Sequence, residues 1–107
     1  MIYEWRTYVA MPGRMPDLHR RFREITRGYF EQYGIHVVAF FEETIGANDR
    51  LQYLLRYEDL ADRDRRWSAF QSDPGWIAAR AETEKNGPLV ARIENRILRL
   101  TDYSPAP

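Results

Sequence analysis

Glu4, Arg6 and Tyr8 alternate along the first predicted strand, Ile2 to Ala10. Alternate residues of a strand share a face, so a carboxylate, a guanidinium and a phenol point the same way. Arginine can fix an anion through two parallel donors, and tyrosine or histidine can move a proton. The other face carries Tyr3, Trp5, Thr7 and Val9 and is the more apolar of the two. The alternation therefore predicts helices against Trp5, Thr7 and Val9, with the polar trio on the uncovered side. On the third strand Gln52, Leu54 and Arg56 share a face, and the polar members are expected to join the trio. On the second strand His36, Val38, Phe40 and Glu42 form the matching set, with Ala39 and Phe41 turned to the helices. The candidate ligand-binding residues are thus Glu4, Arg6, Tyr8, His36, Phe40, Glu42, Gln52 and Arg56, with Arg6 foremost. They suit a small acidic or phenolic molecule, held by Arg6 and shielded by Phe40. A structural reading competes: Glu4 and Arg6 pair with each other and with Arg56 to satisfy charges buried at an interface.

Other residues carry less chemistry. His36 could serve as a base or an axial haem ligand, but a lone histidine at a strand start also suits a rim position. His19 lies near Asp17 and Arg20, off the apolar stripe of its helix, and reads as solvated. The run Arg63-Asp64-Arg65-Arg66, preceded by Asp62, interleaves both signs and reads as a salt-bridged helix face. Trp67 and Trp76 sit at helical apolar positions and are expected to be largely buried. No glycine-rich phosphate loop, nucleophile elbow or metal motif is present.

Composition excludes more. With no cysteine there is no disulfide framework, thiolate catalysis, cysteine-ligated zinc or iron–sulfur cluster. Two histidines cannot build a three-histidine metal site within one chain. No metal and no cofactor is expected. Sixteen basic and sixteen acidic residues cancel, so the field that draws proteins to nucleic acid or anionic membrane is missing. Fifteen of the basic residues are arginine, against the single Lys85. The 107 residues suit one domain, 1–107, with a tail at 101–107. Forty-four per cent hydrophobic and 30% charged residues are ordinary globular values. The opening residues read as a strand and not as a signal peptide, and no run approaches the ~18 apolar residues of a membrane span. A cytoplasmic protein is expected.

The positioning elements follow from periodicity. Met11-Pro12-Gly13 is a turn. Met15, Leu18, Phe22, Ile25, Tyr29 and Tyr33 make one apolar stripe of a helix over Met15 to Tyr33, with Pro16 in its first turn and Gly34 past its end. Strands are predicted at Ile35 to Thr44 and Leu51 to Tyr57, joined by Gly46-Ala47-Asn48-Asp49 as an antiparallel hairpin. Asp59 caps a second helix that runs to Ser72, placing Leu60, Trp67 and Phe70 near one face. Asp73-Pro74 opens a short helix to about Lys85, Asn86-Gly87-Pro88 stops it, and a last strand covers Ile93 to Leu100. The order β-α-β-β-α-β is the α+β, ferredoxin-like arrangement: an antiparallel four-stranded sheet, strand order 4-1-3-2, with the helices on one face. The other face, read as bearing Tyr8, Phe40 and Leu54, is a candidate dimer surface.

Four blocks resemble the NIPSNAP family: Ile2 to Tyr8 with Pro12-Gly13, Arg56 to Arg63, Asp73-Pro74-Gly75-Trp76, and Glu94 to Arg99 with Ser104-Pro105. Trp5 stands where the family often has a smaller aliphatic residue, and Leu55 where an aromatic is expected. The resemblance implies a ferredoxin-like subunit that pairs sheet to sheet with a second copy into a dimeric α/β barrel. The wider superfamily includes cofactor-free monooxygenases, isomerising enzymes and haem-handling proteins, while the NIPSNAP branch transfers no settled activity. The leading expectation is a homodimer with a small acidic or aromatic ligand in the barrel lumen. A cofactor-independent monooxygenase or isomerase and a non-catalytic interaction module are the alternatives. A closed pocket lined by Arg6, Tyr8 and His36 would favour an enzyme, and a filled lumen the interaction module.

Overall fold

The computed structural model describes residues 1–107. Its elements are β1 (Ile2–Ala10), α1 (Met15–Arg21), a π-helical turn (Phe22–Thr26), α2 (Arg27–Gln32), β2 (His36–Glu42), β3 (Arg50–Tyr57), α3 (Leu60–Gln71), α4 (Pro74–Thr83) and β4 (Val90–Leu98). The four strands form one antiparallel sheet in the order β2-β3-β1-β4. This is the expected ferredoxin-like arrangement. The last strand begins three residues earlier than its hydropathy suggested and ends two earlier.

Local chemistry sets the boundaries. Pro16 sits in the first turn of α1, where its missing N–H has no cost. The Asp59 carboxylate accepts the Asp62 amide at 2.8 Å, and Asp73 accepts the Trp76 amide at 3.0 Å, so both predicted caps form. α1, the π turn and α2 run on as one rod. It ends at Gly34, whose φ of +67° a Cβ would oppose. Arg66 closes that end by donating to the Tyr33 carbonyl at 3.2 Å.

The π turn shifts the buried stripe. A strict α repeat predicts Ile25 and Tyr29 facing the sheet. The wider turn instead buries Thr26 and Phe30 and leaves Ile25 and Tyr29 half-buried at the edge. Phe30 then meets Phe70 at 5.2 Å and Tyr53 at 5.8 Å between ring centres. Leu18, Phe22, Leu51, Leu55 and Leu89 belong to the same core. Trp76 is buried as expected, whereas Trp67 is half-buried and Leu60 is exposed.

The sidedness of β1 is the reverse of the expectation. The register pairs Glu4 with Leu55, Arg6 with Tyr53 and Tyr8 with Leu51. Leu51, Tyr53, Leu55 and Tyr57 form the apolar, helix-covered face of β3, so Glu4, Arg6 and Tyr8 lie under the helices too. The uncovered face carries Tyr3, Trp5, Thr7 and Val9 opposite Arg56, Leu54, Gln52 and Arg50. β2 divides at a bulge between Val37 and Ala39, where two residues oppose one. The bulge puts His36 on the uncovered face and Phe40 and Glu42 on the helix face, so these three do not share a side. Of the expected surface residues, Leu54 alone is on the uncovered face; Tyr8 and Phe40 belong to the core side.

Candidate functional site

Glu4 is fully buried, and an unpaired carboxylate there would be costly. Three residues pair it. Arg63 of α3 donates from Nε to Oε1 at 2.9 Å and from Nη2 to Oε2 at 3.1 Å. Asn95 of β4 and Arg6 Nη1 each donate to Oε2 at 3.0 Å. Burial pushes the Glu4 pKa up, but the hydrogen bonds from Arg63 and Asn95 and the charges of both arginines outweigh it and hold it below the usual value.

Arg6 is a buried cation with partners on four sides. Besides Glu4, its Nε donates to the Tyr53 hydroxyl at 3.1 Å and its Nη2 to the Tyr8 hydroxyl at 3.4 Å. Its guanidinium carbon lies 4.3 Å from the centre of the Trp67 ring. Burial alone would lower its pKa; Tyr8, Tyr53 and Glu4 more than offset that, and the group stays charged.

Hydrogen-bond accounting fixes the phenols. The Tyr53 hydroxyl lies 2.9 Å from that of Tyr8 and has no other acceptor, so it donates there. Burial and the neighbouring Tyr8 push the Tyr53 pKa well up, so it keeps its proton. Tyr8 therefore accepts from both Tyr53 and Arg6. Its own O–H proton is left for something else.

That proton has a cavity to meet. A cavity of about 240 Å³ lies between the sheet and the helices. Arg6 and Tyr8 of β1, with Val90 and Ile93 of β4, form its sheet wall, and Phe22, Trp67, Phe70 and Trp76 supply aromatic surface. Aromatic walls with a few converging donors are the usual make-up of a small-molecule site.

The structure thus divides the sequence-derived candidates. Glu4, Arg6 and Tyr8 stand together, but Glu4 is consumed by its donors. Phe40 packs behind them, 5.3 Å from Tyr53 between ring centres. Glu42 lies at the rim, where its carboxylate meets His19 Nε2 at 2.9 Å. His36, Gln52 and Arg56 lie on the far side of the sheet. Gln52 is held there by Thr7 and Glu43. Arg56 does not join the Glu4 network, and Arg63 takes the place expected of it. Sequence reasoning missed Arg63, Asn95 and Tyr53 because their approach to Glu4 and Arg6 depends on register and helix docking, not on local pattern.

The NIPSNAP family model matches residues 3–105. The chain belongs to the NIPSNAP family. Solved structures agree. An uncharacterized NIPSNAP-like domain protein from Burkholderia xenovorans is 27% identical, with a TM-score of 0.86, over 98% of this chain and 89% of that one. A NIPSNAP family protein from Agrobacterium tumefaciens is 28% identical, with a TM-score of 0.85, over 97% of this chain and 96% of that one. A candidate antibiotic biosynthesis monooxygenase from Deinococcus radiodurans shares the fold at 12% identity and a TM-score of 0.61, over 99% of this chain and 98% of that one. No curated protein matches. No helix is long and apolar enough to cross a membrane.

Proposed function

We propose that this NIPSNAP protein is a homodimer that binds a small acidic or phenolic molecule between the sheet and helices of each subunit. The supporting observation is the free Tyr8 proton beside the Arg6 guanidinium in the wall of an aromatic cavity. A carboxylate or phenolate oxygen would accept from Tyr8 and from an Arg6 N–H not used by Glu4, Tyr8 or Tyr53. Size agrees: an engineered apolar cavity of about 150 Å³ takes benzene, so the 240 Å³ here suits one substituted ring. The ligand site expected in the barrel lumen is thereby moved to the helix side of the sheet. Dimerisation concerns the uncovered face and does not compete with it.

A catalytic reading draws on the same proton. Tyr8 as a proton donor to a developing phenolate or enolate would fit a cofactor-independent oxygenase or isomerase. The test is calorimetric titration of benzoate and phenol into wild type, Arg6→Met and Tyr8→Phe. Binding of either probe to wild type, weakened at least tenfold in both variants, is expected. No binding to wild type, or equal binding to all three, overturns the site.

A further inference from the structure

The cavity has a mouth, and its chemistry differs from that of the inner wall. Of the residues that line the cavity, only Gln71, Arg80 and Ile93 are exposed. They stand at the end of α3, on α4 and on β4, so the opening lies between those three elements. Arg80 is the one charged residue of the three. Its side chain is 52% accessible, so it borders the cavity and solvent at once.

The balance of charge separates the two ends. At the inner end Arg6 and Arg63 both bond Glu4, and Arg63 also meets Asp64 at 3.1 Å, so two cations face two carboxylates. At the mouth Arg21 and Arg80 share one carboxylate, Glu84, and a single oxygen of it. Arg21 Nη1 holds that oxygen at 2.9 Å, and Arg80 Nε reaches it only at 3.4 Å. One positive charge is left over, and it falls to the accessible residue. The two terminal nitrogens of Arg80 make no hydrogen bond within the chain. A guanidinium fork of this kind binds a carboxylate or phosphate through two parallel N–H groups. No acidic residue lines the cavity to compete for it.

We infer that the mouth is an anion subsite: besides the oxygen that meets Arg6 and Tyr8, the ligand carries an anionic side arm that reaches out to Arg80. This rests on the cavity being a ligand site, and it narrows the class to a ring with an acidic arm, such as a phenol bearing a short carboxylate chain. The ring lies among the aromatic side chains, and the charge stays at the wet end, where its desolvation is least costly. Gln71, at the same opening, has a side-chain amide that can donate to the arm as well.

The experiment titrates phenol, para-hydroxyphenylpropionate and the amide of that acid into wild type, Arg80→Gln, Arg80→Lys and Arg23→Gln. The amide keeps the length of the arm and loses its charge. In wild type the acid should bind about threefold or more tighter than the amide, the scale of a partly exposed ion pair. Arg80→Gln should bring acid and amide to equal affinity, and Arg80→Lys, which keeps the charge, should keep part of the difference. Arg23 is exposed on the π turn and does not line the cavity, so Arg23→Gln controls for net charge and should keep the full difference. Arg80→Gln gives up only a long surface contact to Glu84, and an unchanged thermal melt shows that the fold is intact. If acid and amide bind wild type equally, if the preference survives Arg80→Gln, or if Arg23→Gln loses it too, the subsite is overturned while the Arg6 site stands. If phenol, acid and amide all fail to bind wild type, the cavity itself is overturned as a site, and the subsite with it.

Discussion

The Arg6 guanidinium lies 4.3 Å from the centre of the Trp67 ring, so a cation on β1 is capped by an indole from α3. A cation–π contact of this kind contributes on the order of 0.5–2 kcal/mol. Trp67 also packs against Phe70 and Phe30, at 5.3 and 6.0 Å between ring centres. It is half-buried, so truncation should cost about 3 kcal/mol, the lower end for an aromatic. Trp67→Ala should therefore lower the melting temperature by roughly 10 °C or more. Calorimetric melts check this; a fall of a degree or two would mean that the stack contributes nothing.

Sequence pattern carried the element order, the strand order and both aspartate caps, because each depends on local periodicity or a single hydrogen bond. It did not carry the sidedness of β1. Hydropathy ranks Trp5 and Val9 as core and Glu4 and Arg6 as surface. It cannot see that Glu4 is met by Arg63 and Asn95, which lie 59 and 91 residues away in the chain. The partner strand did hold the signal. Leu51, Tyr53, Leu55 and Tyr57 are plainly the apolar set of β3, and the register carries that choice across to Glu4, Arg6 and Tyr8. The shifted stripe of the first helical rod had no signal of this kind. One extra residue in a helical turn buries Thr26 where a strict α repeat expects Ile25.

Glu4 and Arg6 are salt-bridged at 3.0 Å, but removing one should not equal removing the other. Arg6→Met leaves the Glu4 carboxylate with Arg63 and Asn95, and removes hydrogen bonds to two phenols. That should cost about 1–3 kcal/mol. Glu4→Leu leaves the buried Arg6 cation without a counter-charge and should cost about 3–5 kcal/mol. Urea titrations of the two variants at pH 7 measure the difference. Equal losses would show that Arg63 and Asn95 do not support Glu4 independently.

The buried phenols set an alkaline limit. Burial, with Tyr8 beside Tyr53 and Glu4 beside Tyr57, raises the pKa of both groups in the folded state. A raised folded pKa means that their contribution is fully present below the unfolded value, about 10 for tyrosine. It is lost as pH climbs from there toward the folded values, because the unfolded chain releases the proton first. Of the seven tyrosines, Tyr53 and Tyr57 should ionise only as the protein unfolds. Absorbance titration of tyrosinate alongside circular dichroism reads this directly. Reversible ionisation of all seven near pH 10, with the fold intact, would contradict it.

Trp5 and Phe41 stack on the uncovered face, 5.7 Å between ring centres and 31° apart. Phe41 is 48% exposed, and Leu54 shares the face across from Trp5. No helix of the chain covers this surface, and contiguous exposed apolar area of this kind marks an interaction site. A second copy placed on it would bring two such faces together about a two-fold axis. Wild type should then scatter light as twice its 12.8 kDa at micromolar concentration. Phe41→Glu sets a carboxylate in the middle of that contact, where desolvation opposes association. Because Phe41 is half in solvent within one subunit, the change should spare the subunit fold and leave a monomer with a near-wild-type circular dichroism spectrum. Ile77→Glu is the control, since Ile77 is exposed on α4, on the opposite side of the subunit. It should stay dimeric. Assembly through a sheet edge, β2 or β4, predicts instead that Phe41→Glu remains a dimer with unchanged dissociation. That result, or a wild-type monomer at micromolar concentration, would remove the face-to-face pairing.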